Sequence, residues 1–186
     1  MEDIKIISGS SEQDVWQNIE ADLAAEDEVL NYDVVINQGG KQVQLTVDID
    51  PGGGFEGGFE TTELRAPLAL VSDFRFAVHD EDFIDEIGRF FGMEDVETGY
   101  TDLDKNVVIK SNDEEKVHRI FGDDDVRELF TKLEDFDLSI HHQKLRDSES
   151  EQPVLELNIN EGITDPTSLR TVYHAFYKVL EMIEKA

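Results

Sequence analysis

The chain has 186 residues, no cysteine, and 44 acidic against 16 basic side chains, which give a formal net charge of −28 at pH 7. With 39% hydrophobic residues and 11 Phe it can bury a substantial core, unlike acidic disordered proteins. The absence of Cys excludes disulfides and cysteine nucleophiles. Nucleic acids and anionic membranes are bound by clustered Lys and Arg, so the charge argues against both as partners.

The start of the chain has neither the basic nor the apolar segment of a signal peptide. No run of residues approaches the roughly 20 apolar positions that a membrane-spanning helix needs. We therefore expect a soluble cytoplasmic protein without membrane insertion. The length suits one domain, so we expect a single domain over residues 1–186, with a flexible N-terminus over residues 1–9.

The first predicted element is a helix over residues 10–31, because Ser10 or Ser11 can cap it and an apolar stripe at helical spacing follows from Trp16. Strict alternation of apolar and polar residues then predicts strands, and a Gly-Gly turn joins the first two as a hairpin. The predicted strands cover residues 32–36, 43–49, 59–66, 74–78, 106–110, 136–140 and 155–159.

Apolar residues at helical spacing predict four more helices, and the last has Asp165 as its N-cap and Pro166 in its first turn. These helices cover about residues 81–91, 112–121, 123–133 and 166–183. A polar segment over residues 146–152 is predicted to be a loop. The order of the elements favours an α+β fold with a largely antiparallel sheet of six to seven strands, and about five helices packed mainly on one face.

The segment from Phe83 to Asp113 resembles a motif set found in a family of uncharacterised bacterial and archaeal proteins. In that family a helix that ends in Gly, here Gly92, leads to an aspartate-hydrophobic-x-threonine-glycine-aspartate turn and a strand. The corresponding residues here are Asp95-Val96-Glu97-Thr98-Gly99, followed by Asp102-Leu103-Asp104-Lys105. The resemblance implies one continuous domain and, because the family has no known activity, no catalytic residues.

The strongest candidate for a metal site is the pair Asp48 and Asp50. Alternate residues of a strand share a face, so both carboxylates would lie on the polar side, beside a Gly-rich loop that contains the further candidate Glu56. Hard divalent cations prefer such oxygen ligands. The spacing is not that of an EF-hand, because the twelfth position counted from Asp48 is Phe59. Solvated turn residues are the competing interpretation.

A second candidate binding site is the turn that contains Asp102 and Asp104, because loops often carry function. The same residue types are also what a turn before a strand requires. Asp137, Ser139 and His141 have the composition of a catalytic triad, but in-line residues on one face of a strand stand roughly 6.6 Å apart per step, so we discount it. The sequence predicts no catalytic residues and no cofactor.

Three interpretations of the charge remain open. The leading hypothesis is a non-enzymatic interaction domain whose acidic surface engages a basic protein surface, because complementary charge speeds association and discriminates between partners. The alternative is a divalent-cation-binding or metal-assisted hydrolytic domain that uses Asp48 and Asp50. In the third, the charge serves solubility alone, since the densest acidic clusters are three residues long and mostly fall where helices begin.

Overall fold

The alternating segments form a single mixed sheet, as a computed structural model of the chain shows. The structure describes residues 4–25, 28–53, 57–69, 73–80, 92–144 and 151–185. Within these ranges the strands are β1 (Lys5–Gly9), β2 (Asn31–Gln38), β3 (Lys41–Asp50), β4 (Phe59–Pro67), β5 (Phe76–Asp80), β6 (Glu94–Asp95), β7 (Val107–Ser111), β8 (Phe136–Lys144) and β9 (Glu151–Ile159). The helices are α1 (Glu12–Leu23), α2 (Thr101–Asp104), α3 (Glu114–Phe121), α4 (Asp124–Lys132) and α5 (Pro166–Glu184).

The strands are arranged in the order β1-β2-β3-β4-β9-β8-β5-β7-β6. Every neighbouring pair is antiparallel except β1 and β2, which are parallel and are connected through α1. The predicted α+β class and the largely antiparallel sheet are confirmed. The predicted number of strands is wrong, because the described residues form nine rather than six or seven.

The two strands that the sequence analysis missed are β1 and β6. Residues 5–9 lie in the segment predicted to be flexible, yet Lys5 to Gly9 pair with Val34 to Gln38. A five-residue strand without strict alternation has no pattern of its own, and parallel pairing supplies its hydrogen bonds only after α1 has brought it beside β2. The strand β6 has two residues and is defined only by its pairing with β7.

The predicted hairpin is confirmed, and its turn explains two glycines. Gln38 pairs with Lys41, so Gly39 and Gly40 alone make the connection between β2 and β3. Their φ angles are 55° and 82°. A two-residue turn of this kind needs positive φ at both positions, which glycine adopts without a steric penalty.

Side-chain caps begin α1 and α5 at residues that the sequence predicts. Ser11 accepts a hydrogen bond from the backbone N–H of Asp14, whose carboxylate bonds back to Ser11 in a capping box. Asp165 accepts from the N–H of Ser168 at 2.8 Å and Pro166 occupies the first turn of α5. At α3 the cap is Asp113, so this helix begins at Glu114, two residues after the predicted start at residue 112.

The core lies between the helices and one face of the sheet. A row of directly paired aliphatic residues crosses seven strands on that face. It consists of Val34, Leu45, Leu64, Leu157, Leu138, Val78 and Ile109, all buried. The buried side chains of α1, α3 and α4, and those of α5 apart from Ala175, belong to the same hydrophobic cluster. Burial of this apolar face is what holds the helices in place.

Two predicted segments lie outside the described residues. They are the helix over residues 81–91 and residues 146–150 of the predicted loop, while residues 151 and 152 begin β9. The turn predicted at Asp102 and Asp104 is the short helix α2. Among the helices of the described ranges, none has the length and apolar character that crossing a membrane requires.

Candidate functional site

A cavity of about 600 Å³ lies between α4 and α5, and we call it the α4–α5 cavity. The N-terminus of α1 and the loop before α5 complete its wall. It is lined by Glu12, Asp125, Glu128, Leu129, Lys132, Leu133, Glu161, Ile163, Ser168, Arg170, Thr171, Val172 and His174. Four of these residues are aliphatic, four are carboxylates and three are basic. An apolar cavity with several convergent polar groups is the usual form of a binding site.

The polar wall of the cavity is an ion-pair network that joins three helices. Arg170 Nε donates to Glu12 Oε1 at 2.7 Å, and His174 Nδ1 lies 2.5 Å from Glu12 Oε2. His174 Nε2 lies 3.3 Å from Asp125 Oδ2. A ring nitrogen of His174 donates a hydrogen bond only when it carries a hydrogen. Both contacts are hydrogen bonds at the same time only in the imidazolium form, in which each ring nitrogen carries one. His174 therefore links the starts of α1 and α4.

Lys178 extends the network at the start of α4. Its Nζ lies 2.5 Å from Asp125 Oδ2 and 3.0 Å from both carboxylate oxygens of Asp123. Asp123 also caps α4 by accepting from the backbone N–H groups of Asp125 and Val126. The ammonium group of Lys178 thus neutralises carboxylates whose negative charge is already stabilised by the N-terminal end of the α4 dipole.

The ion pairs keep the carboxylates of this wall ionised. Burial acts to raise the pKa of Glu12, but hydrogen bonds from His174 and Arg170 outweigh it and hold that pKa below its ordinary value. Hydrogen bonds from Lys178 and then His174 lower the pKa of Asp125. Glu12 and Asp125 are therefore both ionised at neutral pH, as their ion pairs require.

The local sequence explains how the network is assembled. Arg170, His174 and Lys178 are spaced four residues apart on α5, so their side chains form one stripe beside its apolar face. Glu12 and Asp125 each lie in the first turn of a helix, where acidic residues are favourable. The sequence analysis missed this site, although the basic stripe is readable as an i, i+4, i+8 pattern in a chain with few basic residues.

A second cavity of about 530 Å³, the α2–α4 cavity, lies on the other side of α4. Its wall includes Tyr100, Asp102 and Arg127. The guanidinium carbon of Arg127 lies 4.0 Å from the centre of the Tyr100 ring, and Arg127 also donates to the carbonyl of Phe121 at 2.8 Å. Glu128 and Lys132 line both cavities.

The structure separates the two residues of the predicted turn. Asp104 holds the turn together, because its Oδ1 accepts from the N–H and hydroxyl of Thr98 at 2.9 and 2.6 Å and its Oδ2 accepts from the N–H of Gly99 at 2.8 Å. Asp102 is exposed and lines the α2–α4 cavity. Asp102 therefore faces a space that a ligand could enter, whereas both carboxylate oxygens of Asp104 are engaged within the turn.

Asp48 and Asp50 lie on the outer face of β3, the face opposite the helices. Asn31 Nδ2 lies 3.5 Å from Asp48 Oδ1, and Asp50 Oδ1 accepts from the N–H of Gly52 at 2.9 Å. Among the described residues, no three His, Asp or Glu side chains are grouped so that they could hold a metal ion. Glu56 lies outside the described residues.

The outer face carries its own charged group around Arg65. Its Nε lies 2.7 Å from Glu63 Oε1 and 2.5 Å from Glu156 Oε2. Burial, together with repulsion from Glu156 and Asp33, raises the pKa of Glu63 against the opposing effect of Arg65. The charges of this group are contributed by neighbouring strands.

The discounted triad of Asp137, Ser139 and His141 lies farther along the same face of the sheet. Two of its side chains are in contact, which their spacing along the strand did not predict. Ser139 Oγ donates to Asp137 Oδ1 at 3.1 Å, so the two side chains do bridge the spacing along the strand. The His141 ring instead faces Glu156, with 3.6 Å between Nε2 and Oε2. In a catalytic triad the histidine contacts the serine, an arrangement that these contacts do not make.

Comparisons with known proteins leave the family open. No protein-family model matches the sequence, and no curated protein matches it. One solved structure, the crystal structure of the mycobacterial trehalose monomycolate transport factor A, TtfA, is similar at a TM-score of 0.47 with 8% identity, and the match covers 86% of this chain and 76% of that chain.

Proposed function

We propose that this chain is a non-enzymatic binding domain that engages a basic segment of another protein through the α4–α5 cavity. The observation that carries the proposal is the combination, in that cavity, of an aliphatic floor with two exposed carboxylates at its edge. Leu129, Leu133 and Ile163 supply apolar surface, and Glu128 and Glu161 are exposed carboxylates at its edge. Glu128 also pairs with Lys132, at 2.7 Å, but an exposed pair of this kind is weak and leaves the carboxylate open to a second cation. This combination suits the side chain of Arg or Lys, which has an apolar stem and a charged end.

The charge of the whole chain supports the same partner class. A net charge of −28 attracts a basic segment over a distance set by the ionic strength, about 10 Å at 0.1 M salt. Long-range attraction raises the association rate, whereas the cavity selects which side chains stay bound. The charged surface as a whole thus attracts any basic segment, and the α4–α5 cavity determines which segment binds specifically.

The test compares two double variants that remove equal charge. Glu128→Gln with Glu161→Gln alters the rim of the cavity, whereas Glu20→Gln with Glu115→Gln alters exposed positions of α1 and α3 away from the cavity. The probe is a fluorescein-labelled peptide with one Arg flanked by Leu and Ser, and anisotropy measures its dissociation constant at 50 and 300 mM NaCl.

We expect the rim variant to weaken binding about tenfold and the matched control less than twofold, since two charge-assisted contacts are lost only in the first. Binding of the wild-type protein should also weaken at 300 mM NaCl. Equal losses for the two variants would show that net charge rather than the cavity holds the peptide, and would contradict the proposal.

Cation binding at Asp48 and Asp50 is the alternative function. The two carboxylates share a face next to Asn31, which favours it, but one oxygen of Asp50 already accepts from Gly52. Calorimetric titration with Ca²⁺, Mg²⁺ or Mn²⁺ separates the two functions. A heat of binding that the wild-type chain gives and the Asp48→Asn variant does not give would support a cation site.

A further inference from the structure

We infer that the basic partner segment crosses α4 and inserts one side chain into each of the two cavities that flank this helix. The inference rests on the proposed function and names its partner more closely: an extended segment with two Arg or Lys residues three positions apart. The α4–α5 cavity takes one basic side chain, and the α2–α4 cavity takes the other.

The geometry of α4 places the cavities on opposite flanks of one ridge. Successive residues of an α-helix are turned by about 100°, so positions 126 and 130 face the core and positions 128 and 132 lie opposite them. Val126 and Phe130 are fully buried, whereas Glu128 and Lys132 are exposed and line both cavities. A segment that crosses this ridge therefore reaches both cavities at once.

The width of the helix sets the spacing of the two anchors. The cavities open on the two sides of a helix whose diameter is about 10 Å. In an extended polyproline-type segment, residues three apart lie about 9 Å apart and on the same side, because that conformation rises about 3.1 Å per residue with three residues per turn. Adjacent basic residues point apart and cannot enter both cavities.

The wall of the α2–α4 cavity suits a second cation. Asp102 presents an exposed carboxylate, and the Tyr100 side chain is 40% exposed beside it. Two cations line this cavity, and both have partners within the chain. Arg127 is engaged with the carbonyl of Phe121, the ring of Tyr100 and the carboxylate of Asp124, and Lys132 Nζ lies 2.7 Å from Glu128 Oε1. Asp102 therefore remains available to pair with a basic side chain from a partner, with Tyr100 as an adjoining aromatic surface.

Two fluorescein-labelled peptides of identical composition test the inference. The spaced peptide is fluorescein-Ser-Arg-Pro-Pro-Arg-Pro-Ser-amide, and the adjacent peptide is fluorescein-Ser-Arg-Arg-Pro-Pro-Pro-Ser-amide, with the dye on the N-terminal nitrogen of each. Their dissociation constants are measured by anisotropy at 50 mM NaCl with the wild-type chain and with Asp102→Asn, Glu161→Gln and the control Glu115→Gln. Thermal melting checks that each variant folds.

The spaced peptide should bind about fivefold more tightly than the adjacent one, because the second contact becomes intramolecular once the first has formed. Asp102→Asn and Glu161→Gln should each remove that advantage, and Glu115→Gln should leave it unchanged. If only Glu161→Gln weakens the spaced peptide, the proposed function stands and the two-cavity inference fails. If neither variant differs from the control, both fail. Dimerisation of the wild-type chain that Asp102→Asn abolishes would assign the ridge to a second copy and overturn the inference.

Discussion

Two neighbouring rows of residues cross the same strands and differ in character. The inner row, described above, is entirely aliphatic and faces the helices. The outer row is shifted by one residue along each strand and consists of Asp33, Thr46, Glu63, Asn158, Asp137, His79 and Val108. A shift of one residue reverses the face of the sheet, so the strict alternation of the sequence separates an apolar layer from a largely polar one, in which Val108 is the exception.

The comparison teaches that carboxylates play different parts on the two sides of the molecule. On the helical side, Glu12 and Asp125 pair with cations of another helix, and their pKa values are lowered. On the outer face, Glu63 shares Arg65 with Glu156, and its pKa is raised. Carboxylates thus stabilise the contacts between helices but repel one another across the strands.

The largest expected effect tests the difference between the two rows. Leu45→Ala removes a fully buried side chain of the inner row and should cost about 2–5 kcal/mol of unfolding free energy, because a cavity remains in the core. Gln44→Ala, next to it on the outer face, should cost less than about 1 kcal/mol. Urea denaturation measures both, and equal losses would show that the outer face is packed as tightly as the inner one.

An intermediate effect tests the helical carboxylates by acid denaturation. A carboxyl whose pKa is lowered by folding stabilises the fold above its unfolded pKa, and that stabilisation is lost as the pH falls through the folded value. For Glu12, whose ordinary value is 4.5, the loss should begin below about pH 4.5. Melting temperatures from pH 7 to pH 3 should therefore fall less in Glu12→Gln than in the wild type. Parallel curves would mean that the His174 and Arg170 contacts do not stabilise the fold.

The smallest effect has the opposite sign and concerns the outer face. A carboxyl whose pKa is raised by folding favours the fold at low pH, and this contribution is lost as the pH rises through the folded pKa. At pH 7 the ionised Glu63 therefore carries a cost, and Glu63→Gln should raise the melting temperature by about 2 °C. Near pH 4 the gain should disappear. The exposed control Glu115→Gln should change the melting temperature by less than half of the change in Glu63→Gln. If Glu63→Gln instead lowered the melting temperature, the bond between Glu63 and Arg65 would outweigh the repulsion from Glu156 and Asp33.

Much of the fold could be predicted because the decisive signals are local. The Gly39-Gly40 turn, the cap at Asp165 and the alternation of β3 each depend on a few adjacent residues. The strand β1 could not be predicted in this way, because its hydrogen bonds come from a strand that begins more than twenty residues later. The predicted site residues were only partly useful, since Asp102 lines a cavity whereas Asp104 holds its own turn.

The candidate site shows where local patterns end and tertiary structure begins. Arg170, His174 and Lys178 are placed on one side of α5 by helical spacing alone, and the acidic starts of α1 and α4 follow from ordinary helix capping. Which carboxylates meet which cations depends on how three helices pack against the sheet, and Glu12 is separated from His174 by 162 positions. Side-chain spacing is a property of one helix, whereas a cavity exists only between helices, so the surface that we propose for binding was decided by the tertiary packing.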